Sequence, residues 1–508
     1  MTMTRATTQA TPLSLHEPRS HEPRADEPRA YVLTCALAAA YAALRPWRLT
    51  QFDLGRDELF SLETARLGWR ALLAAVAADA VHPPLFYLLL KLWLLAGGET
   101  LSWLKLFPAL TACAALAPLL LLGRELRLRP AETNVALALA AANAYLVAYA
   151  HELRMYSLLL LTSLCALWLF ARWWNRRTPS RLDLLLLALA HLLLVYTQYY
   201  GWLVVGVELL FVALWRRARL RQFAALVALV ALGFAPWFFV VLGALGTRAV
   251  GLGAQLGWHY CPDAAGLAAY YALLDGPFAF PRSTTLGLFL YGLAILRALW
   301  DVYRNPATTR GARLGFGFLL ALSVLPVACA FVVSRALPQS VWHTRYLIVS
   351  AVPYLLLVAC ALARVRPPLL RLALTLAVCA WAGASAYQEL RRTDTRIAWD
   401  VLARGLSAAE TSRDGRVRVY ALDDFPRYPM NYYLRAAGDE RFEFVRTDAA
   451  DLPALGDEHF WLVYDEGAWP AAAPAPPQLL TARGYRVGAS LASGPRGHRY
   501  LLFPAWRE

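Results

Sequence analysis

Apolar residues fall in long runs, separated by short polar connections, over most of the 508-residue chain. A helix needs about 20 apolar residues to cross the hydrocarbon core of a bilayer. The first such run, from about Ala30 to Leu49, predicts an uncleaved spanning anchor. Ten further runs predict spans near 101–123, 132–150, 155–173, 182–198, 201–215, 222–244, 284–303, 312–334, 345–363 and 369–387. Between the first span and the others the pattern changes. From Leu59 to Ala80, Leu62, Ala65, Trp69, Leu72, Leu73 and Val76 share one helical face, and Glu63, Arg66 and Arg70 share another. That predicts an amphipathic helix lying in the membrane interface. Leu85–Ala96 is apolar but too short to cross and carries Lys91 in its middle, which predicts a second interfacial helix.

Both ends of the chain depart from this pattern. Residues 1–29 are polar and repeat His16-Glu-Pro-Arg, His21-Glu-Pro-Arg and Asp26-Glu-Pro-Arg. Proline every five residues opposes a helix, and nothing apolar is available to bury, so a disordered cytoplasmic tail is expected. Beyond about Gln388, Arg416–Leu422, Arg441–Val445, Phe460–Tyr464 and Arg499–Phe503 read as short strands. Trp399–Ser407 and Leu479–Arg483 read as helices, and Pro470–Pro477 as a proline-rich loop. The fold class expected is mainly α: a polytopic membrane helical bundle with interfacial helices in its first external loop, plus a small C-terminal α/β domain. The expected domains are residues 1–29, a membrane module at 30–387 with its external loop at 50–100, and the α/β domain at 388–508.

Charge orients the bundle. A net charge of +15 would suit nucleic acid, but the arginines gather in alternate short connections, which excludes that partner. One set holds Arg124/Arg127/Arg129, Arg172/Arg176/Arg177/Arg181, Arg216/Arg217/Arg219/Arg221, Arg304/Arg310/Arg313 and Arg364/Arg366/Arg371, and the intervening set holds far fewer. The first set is therefore expected in the cytoplasm. Eleven spans then put residues 50–100 and the C-terminal domain outside a plasma (inner) membrane. Arg45 and Arg48 stand at the outer end of the first span, against the rule. Trp173-Trp174, at a cytoplasmic helix end, reads as part of an aromatic belt. The seven cysteines have no metal-ligand or disulfide-framework spacing.

Under this topology the outer face gathers Arg56-Asp57-Glu58, His82, the stretch His151-Glu152-Leu153-Arg154-Met155-Tyr156, the turn Gln198-Tyr199-Tyr200-Gly201 and His343-Thr344-Arg345-Tyr346. Each alone reads as well as a helix cap or interfacial anchor. Together they have chemical uses. A carboxylate of Asp57 or Glu58 can take the proton of an attacking hydroxyl; the same pair can equally serve as the negative start of a helix. His82, Arg154 and Arg345 can stabilise a phosphate leaving group. There is no phosphate-binding Gly-rich loop and no Asp-x-Asp pair. His191, inside an apolar run, reads as a satisfied core histidine.

Arg56-Asp57-Glu58-Leu-Phe-Ser, Val81-His82-Pro83-Pro84-Leu85, Tyr149-Ala-His-Glu152-Leu-Arg154-Met-Tyr156-Ser and Arg345-Tyr346-Leu347 followed by Pro353 together resemble family 39 of the C-type (GT-C) glycosyltransferases. These are the protein O-mannosyltransferase and aminoarabinose-transferase-like membrane enzymes, and the resemblance covers most of residues 30–365. It implies a GT-C bundle that transfers a sugar from a polyprenyl-phosphate donor on the outer face. Asp57 matches the family's catalytic acid, His82 the position near the donor phosphate, and Glu152 and Arg154 a motif lining the site. Arg56, Tyr156, Tyr199, Tyr200 and Tyr346 are expected to line it as well. No cofactor is required by this reading, although the acids leave room for a divalent metal ion. The partners expected are the lipid-linked donor, membrane lipids and an acceptor that is a lipid, glycan or protein; the long lumenal insert of the protein mannosyltransferases is absent. The competing class is a polytopic transporter or flippase, whose mid-membrane ionisable groups would be His191 and Glu208.

Overall fold

The computed structural model describes residues 27–246, 261–275, 284–305, 308–391, 397–410, 416–423, 425–448, 451–452, 457–470, 473–494 and 499–507. Residues 1–26 of the expected tail lie outside the described residues, while Glu27-Pro28-Arg29 open the first helix, α1 (Glu27–Leu44). Pro28 fits there because the first turn needs no donor from it.

Among the described residues six helices are long and apolar enough to cross a membrane: Leu101–Glu125, Tyr156–Asn175, Arg217–Ala244, Arg310–Ala336, Tyr346–Ala363 and Pro368–Arg391. A seventh joins them if the bent pair Pro130–Ala142 and Ala144–Ala150 is one span. The chain is an integral membrane protein. Tyr31–Leu44, Leu85–Gly97 and Gly201–Trp215 are apolar but shorter.

The chain divides into two compact units. One holds residues up to Trp47, Leu67–Gly98 and Lys105–Leu390; the other holds Arg48–Arg66, Glu99–Leu104 and Arg391–Glu508. The C-terminal segment thus shares its unit with the stretch that carries Arg56, Asp57 and Glu58.

The expected single helix over 59–80 is two helices, α2 (Arg56–Arg66) and α3 (Trp69–Asp79). Gly68, extended at φ −59° and ψ 154°, is the N-cap of α3, so the backbone leaves the helical path between them. Then comes α4 (Leu85–Gly97), followed by α5 (Leu101–Ala114) and α6 (Leu116–Glu125), which make the first long span. The next run breaks by 56° between α7 (Pro130–Ala142) and α8 (Ala144–Ala150). Asn143 makes this break: its Oδ1 accepts from Leu146 N–H at 3.0 Å, capping α8, and its Nδ2 donates to Leu274 O at 2.8 Å. The carbonyls stranded at the end of α7 are met by Arg45, which donates to Ala140 O at 2.7 Å and Ala141 O at 3.1 Å. Arg45 is fully buried, with its guanidinium 4.0 Å above the Tyr41 ring. Its place against the charge rule therefore has a structural reason: it is a helix cap at a broken span, not a surface charge.

Three more helices follow: α9 (Tyr156–Asn175), α10 (Arg181–Thr197) and α11 (Gly201–Trp215). Trp173 and Trp174 at the end of α9 are fully buried, which corrects the aromatic-belt expectation. Their rings lie under the guanidinium groups of Arg219 and Arg216, at 5.4 and 5.1 Å. The bundle continues through α12 (Leu220–Gly246), α13 (Ala264–Asp275), α14 (Thr284–Arg304), α15 (Arg310–Ala336), a 3-10 turn at Tyr346–Ser350 leading into α16 (Ala351–Ala363), and α17 (Pro368–Arg391).

In the second unit the strands are β1 (Val417–Ala421), β2 (Phe442–Arg446), β3 (His459–Asp465), β4 (Arg486–Val487), β5 (Leu491–Ser493) and β6 (Tyr500–Trp506). Their order is β2-β1-β3-β6-β4, with β5 also on β6; β1 runs parallel to β2 and β3, and β6 antiparallel to β3. Alternation decides the faces. Val417, Val419, Ala421, Trp461 and Val463 point to one core with α18 (Trp399–Ala409) and α19 (Arg427–Ala436), through Leu402, Leu406, Met430 and Leu434. Tyr420, Phe460, Leu462 and Tyr464 point to the other, with Leu480 of α20 (Pro476–Thr481). That helix starts inside the expected proline loop, with prolines in its first turn; Ala471 and Ala472 of the loop lie outside the described residues.

Candidate functional site

In the bundle unit the chain builds one buried polar cluster around His82. α3 ends at Asp79, and Ala80 follows in the left-handed region at φ 58°, its N–H bonded to Val76 O. This reversal folds His82 back over the helix end, so its Nδ1 lies 2.8 Å from Asp79 Oδ2. Pro83 and Pro84 then restart the chain as α4, with Pro84 as the N-cap. Two groups from distant segments meet the other ring nitrogen. Arg154 Nη2 is 3.2 Å and the Tyr346 hydroxyl 2.9 Å from His82 Nε2. A guanidinium only donates, so Nε2 is the acceptor and the ring proton sits on Nδ1, facing Asp79. Arg154 also donates to the Tyr87 hydroxyl at 3.4 Å. His82, Arg154 and Tyr346 are all buried.

Two anchored turns supply these partners. The turn His151–Met155 is fastened by Lys105, whose Nζ donates to His151 O at 3.0 Å, and by His151 Nε2, which donates to Arg45 O at 2.7 Å. Leu153 and Met155 are fully buried on either side of Arg154. The turn before the 3-10 helix is fastened by phenols: Tyr145 donates to Thr344 O at 2.7 Å and Tyr270 to Leu347 O at 2.8 Å. Arg345 is half-buried and donates to the Tyr156 hydroxyl at 3.3 Å. Tyr200 meets the Tyr346 ring edge-on at 5.5 Å, while the Tyr199 hydroxyl accepts from Trp237 Nε1 at 3.2 Å. Glu152 is half-buried, and its carbonyl accepts from Arg154 N–H. The expected residues His82, Arg154, Arg345, Tyr156, Tyr200 and Tyr346 thus form one connected set.

In the second unit Arg56, Asp57 and Glu58 form the first turn of α2. Glu58 is buried, and its Oε2 accepts from Gly55 N–H at 2.8 Å. That is the reach-back of an acid at the third helical position to the N-cap, a structural duty. Asp57, one residue earlier, is exposed. Arg56 lies 5.5 Å over the Phe425 ring, and Leu54 N–H donates to the Tyr433 hydroxyl at 2.9 Å. At the far end of α2, Arg66 pairs with Glu99 and Glu63. Among the described residues no three His, Cys, Asp or Glu side chains gather as a metal site.

Asp53, just before α2, accepts from Asp400 N–H at 3.3 Å at the start of α18. Burial, with the Asp400 carboxyl alongside, pushes the Asp53 carboxyl up to about 6. Asp400, although burial opposes its charge, is held below the usual range by the hydrogen bond from Asp53 and by Arg404. Asp53 is raised above the usual 3.8, so its contribution to stability is fully present below that pH and is lost as pH rises through about 6. Asp53→Asn keeps a hydrogen-bond donor and removes the titration. We expect it to unfold at a higher temperature than the parent at pH 7.5 and at a similar temperature at pH 4.5, read by thermal unfolding in detergent. An equal shift at both pH values would contradict the raised Asp53 titration.

The fold is that of a solved membrane protein. ArnT from Cupriavidus metallidurans, in a crystal structure with bound undecaprenyl phosphate, superposes with a TM-score of 0.56 at 13% identity, covering 95% of this chain and 98% of that one. Its apo structure gives 0.54 at 13% identity over the same shares. The chain has this GT-C architecture. No protein-family model matches the sequence. No curated protein matches it either.

Sequence reasoning missed Asp79, Tyr87 and Asp53. Asp79 left a signal, an acid three residues before a histidine that is followed by the helix-stopping Pro83-Pro84. Tyr87 and Asp53 left none, because their partners Arg154 and Asp400 are 67 and 347 residues away.

Proposed function

We propose that this chain is a membrane glycosyltransferase that takes a sugar from a polyprenyl-phosphate carrier and gives it to an acceptor outside the cytoplasm. The observation that carries the reading is the fold, shared over nearly the whole chain with a protein solved holding undecaprenyl phosphate. The buried Arg154–His82–Tyr346 cluster adds chemistry to it. A phosphate leaving group gains negative charge as the glycosidic bond breaks. Preorganised donors in a dry site stabilise that charge better than water does. In this reading Arg154 and Arg345 bind the phosphate oxygens, and His82, fixed by Asp79, holds Arg154 in place. Asp57 takes the proton of the attacking hydroxyl, and Glu58 shapes the turn that carries Asp57. Tyr156, Tyr199, Tyr200, Tyr346, Arg56 and Glu152 line the path. The arginine distribution supports an outward-facing site, where sugar nucleotides are absent and a lipid-linked donor can be delivered.

The transporter reading has one observation in its favour. His191 Nε2 and Glu208 Oε2 lie 2.6 Å apart, both fully buried, on α10 and α11. Detergent solution separates the readings, because it offers no membrane to cross. Purified protein with a radiolabelled polyprenyl-phosphate sugar and an envelope lipid extract should release polyprenyl phosphate and label an acceptor. Labelled donor recovered unchanged, with donor movement across reconstituted vesicles, would favour transport. For the orientation, a reporter active only outside the cytoplasm should be active when fused after Gln388 and inactive after Arg219; the reverse pattern would remove the argument for a lipid-linked donor.

A further inference from the structure

The arginine-rich connection between α6 and α7 borders a groove whose lining shares no residue with the proposed transfer site. It has a volume of about 690 Å³. Tyr31, Ala38, Leu120 and Leu128 give it an apolar wall, and Arg124 and Arg127 stand at its polar side. Both arginines are exposed. A flat helix face would offer charge without a cavity; this volume falls in the range of small-molecule sites, roughly 300–1,000 Å³.

The backbone gives a second, independent observation. α6 ends in a Schellman turn, with Leu128 N–H bonded to Gly123 O at 2.9 Å and Arg127 N–H to Arg124 O at 3.0 Å. Arg127 occupies the left-handed position of that turn, at φ 50°. Glycine is the residue this position favours, because a Cβ there is strained. Arginine is held there at a cost in stability, and its side chain borders the groove. The helix dipole favours a cation near a C-terminus, and Arg124 in the last turn already supplies one.

We propose that this groove binds an anionic phospholipid. The phosphate sits between the Arg124 and Arg127 guanidinium groups, which match its oxygens in paired hydrogen bonds. The first part of one acyl chain lies along Tyr31, Ala38, Leu120 and Leu128. The combination of two cations with an apolar wall is what selects a lipid over free phosphate, which would leave the wall uncovered. The site stands or falls independently of the transfer reading.

The test uses the full-length protein in detergent, with phosphatidylglycerol or phosphatidylcholine added back and retained lipid counted by native mass spectrometry. The parent should retain phosphatidylglycerol in preference. Arg127→Gly relieves the left-handed strain, so its unfolding temperature without added lipid should rise, while phosphatidylglycerol retention should fall about fivefold, the value of one arginine at an anionic lipid surface. Arg124→Gln, on a regular helical turn, should cause a similar fall, and Arg124→Lys a smaller one. Inorganic phosphate at matched concentration should not compete. Equal retention of the two lipids by the parent, unchanged phosphatidylglycerol retention in both Arg127→Gly and Arg124→Gln, or displacement by inorganic phosphate would each overturn the assignment.

Discussion

Asp57→Asn is expected to slow sugar transfer by about 10²–10⁴-fold, the usual contribution of a positioned general base. The argument begins with the helix start. Asp57 and Glu58 are adjacent acids, and Glu58 accepts from Gly55 N–H and is buried. An oxygen that accepts from an N-cap is poorly placed to take a substrate proton, whereas Asp57 is exposed in the same turn. Asparagine keeps the shape and hydrogen-bonding reach of Asp57 but cannot accept the proton. Losing one negative charge in a first helical turn costs roughly 0.3–1 kcal/mol, so folding should survive. The measurement is turnover on a radiolabelled polyprenyl-phosphate sugar, with unfolding temperature and donor binding recorded alongside. Near-normal turnover would take Asp57 out of the role and move it to Glu58 or Glu152. Glu58→Gln should behave differently: an amide oxygen can still accept from Gly55, so a modest loss is expected in both rate and stability.

Much of this architecture is legible because its causes are local. An unbroken apolar run of about 20 residues reads as a membrane-length helix from its own composition, as in Arg310–Ala336, and alternation in Val417–Ala421 or His459–Asp465 is a strand with two faces. Shorter-range breaks are weaker signals. Gly68 is one small residue within the helical pattern of Leu59–Ala80, and it is the N-cap that separates α2 from α3. α19 was unreadable because Arg427–Ala436 is rich in tyrosine and carries Pro429. Proline is tolerated there only because it lies in the first turn. What sequence could not give are pairings across the chain. Arg45 reads as a topology charge until Ala140 and Ala141 expose their carbonyls beside it. Trp173 and Trp174 read as belt residues until Arg216 and Arg219 cover them. The polar cluster was half legible for the same reason: His82, Arg154 and Tyr346 were visible as motifs, but their hydrogen bonds span 72 and 264 residues.

Arg154→Ala is expected to weaken binding of polyprenyl phosphate by about ten- to hundredfold, since a charge-assisted hydrogen bond is worth roughly 1.5–3 kcal/mol. Arg154 is the better choice of the two site arginines because its surroundings hold it still: buried neighbours on both sides, and His82 and Tyr87 as hydrogen-bond partners. Arg345, half-buried and donating to the Tyr156 hydroxyl, should matter less because more of it faces water. Truncation also leaves Tyr87 and His82 without the guanidinium, so the unfolding temperature should fall somewhat. Arg154→Lys separates the two effects. Lysine restores the charge as a point but not the planar fork, so it should recover stability more than affinity. Asp79→Ala leaves Arg154 in place and releases the His82 ring to change tautomer. If His82 acts by holding Arg154, Asp79→Ala should weaken donor binding by a smaller factor than Arg154→Ala, and combining the two should add little, because both act on the same contact. Additive losses would mean that His82 meets the donor itself, and unchanged affinity in Arg154→Ala would remove the cluster from phosphate binding.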